Sequence, residues 1–255
     1  MYGILNKTVE GHEINIFPEN NVILKVYKSG YSRHDPGYHI QPDNISQPSP
    51  IYKTSIFLPM EEYKSLPIVV GISEGALGRL EFNPRHGQFI TLNAYSFKKE
   101  PVIFYLLTPA TETELGTLPE YGAVVYNENG GVGWHSGIKH GVQVMGAFTK
   151  KRPQNRLLEG VSLQGRKTAI LHTGSDLFFG GMSPNNYYDV AATMTVREGD
   201  RYTTRWAALD NIGLPPYWRP YPIDPKSLDV LFTIIDVTNV PTNDYKPINM
   251  DHVKP

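Results

Sequence analysis

The stretch Tyr121-Gly122-Ala123-Val124-Val125-Tyr126-Asn127-Glu128-Asn129-Gly130, residues 121–130, repeats a pattern that stands at the start of the chain. There, residues 2–6 read Tyr-Gly-Ile-Leu-Asn, and a polar turn with Gly11 follows. Both stretches lead a short apolar run into a glycine turn, which is typical of a strand that enters a hairpin. The pattern therefore predicts an internal repeat of a β-rich unit.

Two further matches follow these openings. An alternating apolar run stands at residues 22–27 and again at residues 142–145. A second apolar run, which ends in Thr or Thr-Pro, stands at residues 102–109 and again at residues 231–238. Because the same kinds of run recur in the same order, we predict that each copy builds its own β domain.

The boundary between the copies lies at residues 108–119, which are rich in Thr, Glu, Gly and Pro and carry no strand pattern. We predict four parts: a first β domain at 1–112, a linker at 113–118, a second β domain at 119–245 and a polar tail at 246–255.

The composition favours strands over helices. Gly (23) and Pro (21) are frequent and Tyr (16) outnumbers Phe (10), as expected for short strands joined by turns. Glu198-Gly199-Asp200 separates two alternating runs and predicts a hairpin. Single helical turns are predicted at residues 60–64 and 224–228. The predicted fold class is all-β, with two tandem β-sandwich-like domains of the jelly-roll or immunoglobulin-like kind.

Bulk properties exclude several functions. The formal net charge of −1 gives no general attraction to nucleic acid or to an anionic membrane. The absence of cysteine excludes disulfides, thiolate metal sites and a cysteine nucleophile. No apolar run approaches the roughly 18 residues of a membrane helix, and no signal peptide is visible. We therefore expect neither a nucleic-acid partner nor membrane insertion.

Residues 31–50 are polar and contain four prolines, at positions 36, 42, 48 and 50. Proline cannot donate to a ladder of backbone hydrogen bonds, so we predict a long loop that lies outside any sheet. Long irregular segments are commonly functional, and we expect this loop to contact another subunit or chain. His34, Tyr38 and His39 are its candidate contact residues.

The histidines are the natural place to look for a metal or a catalytic base. His34 and Asp35 are adjacent, so an extended chain points them apart, and their spacing to His39 matches no zinc or iron pattern. Ser136 and His140 could form a nucleophile and its base, but Ser136 stands one place late for a nucleophile elbow. We therefore predict no metal, no cofactor and no catalytic site.

The densest aromatic cluster lies at residues 215–222, on a loop stiffened by prolines. Rigid aromatic and arginine side chains lose little entropy on binding and are favoured anchors at interfaces. The alternative is that these rings cover the end of a domain core. Together with the loop residues above, the candidates for an interface or a ligand site are Trp206, Tyr217, Trp218, Arg219, Tyr221, His34, Tyr38 and His39.

The repeated opening, best seen at residues 121–130 and also at residues 2–6, resembles the start of a group of tailed-phage minor tail and tail-tip virion proteins. The resemblance covers a short segment of each copy and carries no functional residues. It implies a β-rich structural protein that assembles in the host cytoplasm into a virion.

Three functions follow from these observations. The first is a structural or host-attachment component of a phage tail or baseplate, acting as a homo-oligomer with other virion subunits and a possible host surface glycan as partners. The second is a carbohydrate-binding or lectin-like module with a stacking platform of Trp206, Tyr217, Trp218 and Tyr221. The third is a hydrolase using His and Asp from residues 31–50, which is the weakest because no convergent acid and base are readable.

Overall fold

A computed structural model gives the structure of the chain. It describes residues 5–7, 13–15, 23–31, 38–40, 51–65, 68–77, 81–82, 89–126, 130–151, 156–158, 163–173, 177–182, 187–213 and 229–241. Strands in several antiparallel sheets dominate these residues, and the two helices are short. The predicted all-β class is confirmed.

The elements are numbered in chain order. The helices are α1 Met60–Ser65 and α2 Glu112–Gly116. The strands are β1 Leu5–Lys7, β2 Glu13–Asn15, β3 Leu24–Tyr31, β4 Tyr38–Ile40, β5 Ile51–Pro59, β6 Val69–Ile72, β7 Ala76–Leu77, β8 Glu81–Phe82, β9 Phe89–Ser96, β10 Ile103–Pro109, β11 Val124–Tyr126, β12 Val132–His135, β13 Gln143–Lys151, β14 Arg156–Leu158, β15 Thr168–Thr173, β16 Leu177–Met182, β17 Tyr187–Glu198, β18 Arg201–Gly213 and β19 Asp229–Asp236.

Six strands form the central sheet, in the order β13-β19-β15-β6-β10-β3, and all neighbours are antiparallel. The two ends of this order also meet. Val26 N donates to His140 O at 3.0 Å, and Val142 N donates to Leu24 O at 3.1 Å. Because residues 140–142 run directly into β13, these bonds close the central sheet on itself. The closed sheet has an inner and an outer face.

The inner face holds a core to which all six strands contribute. Its buried side chains are Val26, Tyr105, Leu107, Ala169, Leu171 and Ile235, together with Val237 and Val240 from the turn after β19, and the partly buried Leu24, Val69, Ile103, Val142 and Val144 pack against them. Strand β10 is buried along residues 104–108. A strand covered on both faces needs apolar residues without alternation, which explains its run of consecutive apolar residues.

The outer face of β6 and β10 packs on a five-stranded sheet of β4, β5, β9, β7 and β8. In β5 and β9, alternate residues point toward the central sheet, as the period of two in a strand requires. This second core consists of Ile56, Leu58, Ile72, Ile90, Leu92, Ala94, Val102, Phe104 and Leu106. The first half of the chain therefore places two packed layers of sheet around one apolar core.

A four-stranded sheet, in the order β14-β18-β17-β16, is built from the second half of the chain. Its β17 and β18 form the predicted hairpin, in which Glu198 pairs with Arg201 and Gly199 has a φ of 62°. A first turn residue with positive φ is what a type II′ hairpin needs, and glycine supplies it without strain. Two backbone hydrogen bonds between Gly75 and Thr195, at 2.6 and 2.9 Å, attach this sheet to the part of the chain before residue 112.

The predicted linker at 113–118 separates the strands along the chain but not in space. β3, β6 and β10 come from residues 1–112, and β13, β15 and β19 come from residues 119–245. All six share the central sheet, since Ile72 pairs with Ile170 and Gly71 pairs with Leu171. The repeated sequence patterns located β3, β10, β13 and β19 but did not show that the two segments complete one sheet.

The loop predicted at residues 31–50 is interrupted by a strand, so placing all of it outside any sheet was wrong. β4 pairs with β5, with Tyr38 opposite Lys53 and His39 opposite Tyr52. Residues 38–40 contain no proline and two residues that favour strands, Tyr and Ile. They form an edge strand, the place in a sheet where neighbouring prolines are tolerated.

Leu107→Ala tests the inner core. Leu107 is fully buried in the core of the inner face. Removing its side chain leaves a cavity, and we expect the free energy of unfolding to fall by about 2–5 kcal/mol. Urea denaturation followed by circular dichroism measures this loss. The matched control is Leu118→Ala, at a leucine 45% exposed, which should change stability far less. Equal losses at both positions would contradict the assigned core.

Candidate functional site

Most of the predicted contact residues lie where no side-chain geometry is described. His34, Tyr217, Trp218, Arg219 and Tyr221 fall outside the described residues, as does the helical turn predicted at 224–228. The predicted helical turn at 60–64 is present as α1.

The backbone of the other three candidates is described. Trp206 lies in β18, opposite Thr193 of β17, and Tyr38 and His39 lie in the edge strand β4. Trp206 and this pair are in different sheets. The structure therefore does not place the eight predicted residues in one site, and their role in binding stays a prediction.

A different candidate site begins at α2, inside the predicted linker. Thr111 Oγ1 accepts a hydrogen bond from Glu114 N at 3.3 Å, and Glu114 Oε2 accepts one from Thr111 N at 2.9 Å. This reciprocal pair is a capping box, which satisfies two backbone donors at the start of a helix. The Thr-x-x-Glu spacing thus explains why residues that read as a linker form a short helix.

Glu114 also joins α2 to the central sheet. Its Oε1 pairs with Lys25 Nζ of β3. The hydrogen bond from Lys25, followed by that from the Thr111 backbone, lowers the pKa of Glu114 from 4.5 to about 2. Both charges are partly exposed, at 20% and 34% of their side-chain surfaces, so water screens the pair. The contact positions α2 more than it stabilises the fold.

His135 provides the second attachment of α2. The imidazole is buried, with 2% of its surface exposed. Gly137 N donates to its Nδ1 at 3.2 Å, so Nδ1 carries no proton in this arrangement and Nε2–H donates to Glu114 O at 2.7 Å. Both ring nitrogens are therefore occupied by the backbone. The side chain acts as a clamp between α2 and the turn after β12.

Ser136 fixes the chain just before β11. Ser136 N donates to Ala123 O at 2.9 Å, and Ala123 N donates to Ser136 Oγ at 3.1 Å. Gly122 precedes this pair with a φ of 149°, and a Cβ there would collide with Ser136 Oγ. Only glycine fits without strain. The second residue of the repeated Tyr-Gly opening is thus set by close packing.

Three large apolar side chains of this segment are exposed. Tyr121 is 86% exposed, Tyr126 is 53% exposed and Leu118 is 45% exposed. Among the side chains that the structure describes, no other large apolar one is exposed. We call these three residues the aromatic patch. Tyr126 is the last residue of β11, and Leu118 and Tyr121 lie in the segment that leads from α2 to β11.

The catalytic pairing considered for Ser136 and His140 finds no support in the contacts. The Ser136 hydroxyl accepts a hydrogen bond from Ala123 N. His140 has a φ of 59°, and its carbonyl accepts a hydrogen bond from Val26 N. Within the described ranges, no group of three His, Asp or Glu side chains could hold a metal ion. The candidate site among the described residues is therefore the aromatic patch.

The sequence signal nearest to this surface is the Tyr121-Gly122 opening. An apolar run follows Tyr121, and this run predicts the start of a strand instead of an exposed ring. The exposure of Tyr121 depends on the φ of Gly122 and on the seat of Ser136 against Ala123, which pair residues 13 apart in the chain. The capping box at Thr111 was readable, whereas the contacts that anchor it are not local.

Comparison with known protein families, with curated proteins and with solved structures finds no match to this chain. In the part of the chain that the structure describes, neither helix has the length and apolar character needed to cross a membrane.

Gly122→Ala tests the support of the aromatic patch. The new Cβ would meet Ser136 Oγ, and the backbone conformation is unfavourable for any L side chain. We expect a loss of about 1–3 kcal/mol in the free energy of unfolding. Gly116→Ala is the control, since its Cβ would meet nothing within 4 Å. Denaturant unfolding of both variants measures the difference, and equal stability would contradict the packing described.

Glu114→Gln tests the ion pair through its pH dependence. The folded-state pKa of about 2 lies below the ordinary 4.5, so the charge stabilises the fold above pH 4.5 and this contribution is lost as the pH falls toward 2. At neutral pH, the free energy of unfolding of the wild type should exceed that of the variant by up to about 1 kcal/mol. Unfolding at a series of pH values should show the two curves converging in acid.

The partner variant, Lys25→Met, separates this ion pair from other effects of the substitution. The double variant should be no less stable than the worse single variant, because each change removes the same interaction. Additive losses would show that the two side chains act independently and would contradict the pairing.

Proposed function

We propose that this chain is a structural or host-attachment component of a phage virion, in the tail or baseplate, and that it acts through subunit assembly. The resemblance of residues 121–130 and 2–6 to minor tail proteins suggests the setting. The aromatic patch is the observation that carries the proposed mechanism. Its partners would be further copies of this chain and other virion subunits, assembled in the host cytoplasm.

The aromatic patch has the properties of an interface anchor. Tyrosine buries a large area on binding and has few side-chain torsions to immobilise. The backbone beneath Tyr121 is already fixed by Gly122 and by the hydrogen bonds of Ser136 with Ala123. A pre-organised anchor loses less entropy when a partner covers it.

We propose in addition that each copy of the repeat is a sandwich-like unit, at 1–112 and 119–245. In the first copy, the outer face of β6 and β10 packs on β5 and β9 across a shared core, as two sheets of a sandwich do. The two units would be joined through the central sheet.

A carbohydrate-binding function is the second candidate. Two exposed tyrosine rings, Tyr121 shortly before β11 and Tyr126 at its end, could stack against sugars and would add to the predicted platform of Trp206, Tyr217, Trp218 and Tyr221. In a virion such a surface would contact a host glycan. Saturable binding to a glycan array, abolished by Tyr126→Ala without any change in oligomer mass, would favour this function over assembly.

Tyr121→Ala tests the assembly function. Truncating a central aromatic anchor typically costs about 2 kcal/mol or more in binding, so the dissociation constant of the oligomer should rise at least about 30-fold. Tyr121 is 86% exposed, so the melting temperature should stay unchanged. Sedimentation over a concentration series measures both the oligomer and its loss. The control is the exposed residue Gln164, as Gln164→Ala.

Trp218→Ala, at the anchor predicted from sequence, belongs in the same experiment. It should weaken assembly and leave the fold intact, whereas a core role would lower the melting temperature. A wild-type chain that stays monomeric at every concentration, and that antibodies fail to detect in purified phage particles, would contradict the proposed function.

A further inference from the structure

The central sheet consists of two trios of strands that are arranged in equivalent order from its two ends. From one end the order is β3, β10, β6, and from the other it is β13, β19, β15. In each trio the first strand is the alternating run of its copy, and the middle strand is the apolar run that closes it. We call the trio β3, β10, β6 the first half and the trio β13, β19, β15 the second half.

The two halves share an irregularity at the same place. In the first half the pairing slips by one residue at Tyr27, opposite the step from Leu106 to Leu107. In the second half it slips at Met145, opposite the step from Ile234 to Ile235. A β-bulge of this kind changes the local twist and is a specific feature of a strand pair.

The third strand of each half confirms that these bulges are equivalent. Leu106 lies opposite Val70 of β6, and Ile234 lies opposite Ile170 of β15. Val70 and Ile170 each stand one residue before a member of the facing pair Gly71 and Leu171. We call the two places where the halves pair the joints: β6 pairs with β15 at one, and β3 bonds to residues 140–142 at the other. The bulges therefore have the same register relative to the joint of β6 and β15.

Equivalent residues face each other at both joints. At one joint the pair is Gly71 and Leu171. At the other, Leu24 and Val142 are opposite each other, and each stands two residues before its bulge-flanking valine, Val26 or Val144. A contact in which a position meets its own equivalent is the mark of a two-fold, isologous interface. The halves are related as the subunits of a symmetric dimer.

The connection between the halves, residues 110–142, is called the tether, and it begins with a segment on the surface. α2 buries no side chain, and residues 111–113 and 116–118 are exposed. The pairing of β6 with β15 covers Gly71–Ile72 and Ile170–Leu171, whereas β10 pairs with β3 along the whole of Ile103–Pro109. The ladder between β6 and β15 thus pairs two residues of each strand, fewer than any ladder within either half, although both halves bury side chains in one inner core.

From this geometry we propose that the joint between the halves is a protein–protein interface that a second copy of this chain can complete. The first half of one copy then pairs with the second half of another, and the same strand ladders and the same inner core form between two chains. The inference stands on the central sheet alone and holds with or without a role in a virion.

The energetics decide when this exchange occurs. The contacts in the closed chain and in the exchanged dimer are the same, so the two forms differ mainly through the tether. The tether keeps the two halves of one chain at a high effective concentration, which favours the closed chain in dilute solution. Exchange becomes competitive where copies are crowded or where one half of a chain is defective.

Complementation between two defective full-length chains tests the proposal. Leu107→Asp places a charge in the inner core on the first half, and Ile235→Asp does the same on the second half. Both positions are fully buried, so each variant alone should fail to form the native sheet. Refolded together from denaturant, with a different affinity tag on each, they should yield a folded complex of two chains that carries both tags.

The matched control pairs Ile235→Asp with Leu171→Asp. Leu171 also lies in the inner core, but in the second half. Both chains of the control therefore carry a defective second half, and neither can supply an intact one. It should give no folded, doubly tagged species. Sequential affinity purification, mass measurement by light scattering and a thermal unfolding curve near that of the wild type identify the complex.

Two results would overturn the proposal. One is the absence of a folded, doubly tagged complex from the complementing pair, or its appearance in equal yield from the control pair. The other is a single variant that reaches the native, cooperative fold by itself, since one half would then stand without the other. Neither result bears on the aromatic patch, so failure here is distinguishable from failure of the assembly function.

Discussion

Closure of the central sheet is the constraint on which the other parts of the molecule depend. An open sheet leaves a row of unpaired backbone groups on each edge, and these must be paired, covered or exposed to water. Here residues 140–142 bond to β3 and remove part of that problem at the ends of the sheet. Closure also creates the inner face, where apolar side chains from all six strands are shielded together. Both outer sheets are positioned by the strands of this one ring.

The strands of the central sheet were largely predictable from apolar runs in the sequence. A strand buried on both faces must be continuously apolar, and β10 shows such a run. The β17–β18 hairpin was predictable for a local reason, the glycine at position 199. The pairing of β6 with β15 was not, since the choice of a partner about a hundred residues away depends on register and not on composition. β4 was missed because prolines on either side dominated the interpretation of residues 31–50.

The candidate site shows the same division between local and distant causes. A Thr and a Glu three residues apart are enough to start α2. The position of that helix depends on Lys25 and His135, which reach it from two other elements. The exposure of Tyr121 depends on the backbone of Gly122. The Tyr121-Gly122 opening therefore encodes a way of presenting a ring at the surface, which an apolar pattern alone does not reveal.

The order of strands in the central sheet has a consequence for synthesis on the ribosome. β19 is the last described strand of the chain and sits between β13 and β15, so neither of those strands has its full set of neighbours until residue 236 has emerged. The first half can begin to pair much earlier, with its unfinished edges open. Long-range pairing of this kind folds slowly and exposes sticky edges meanwhile. A nascent chain of this protein is therefore most vulnerable to aggregation after the first half has left the ribosome and before the second is complete.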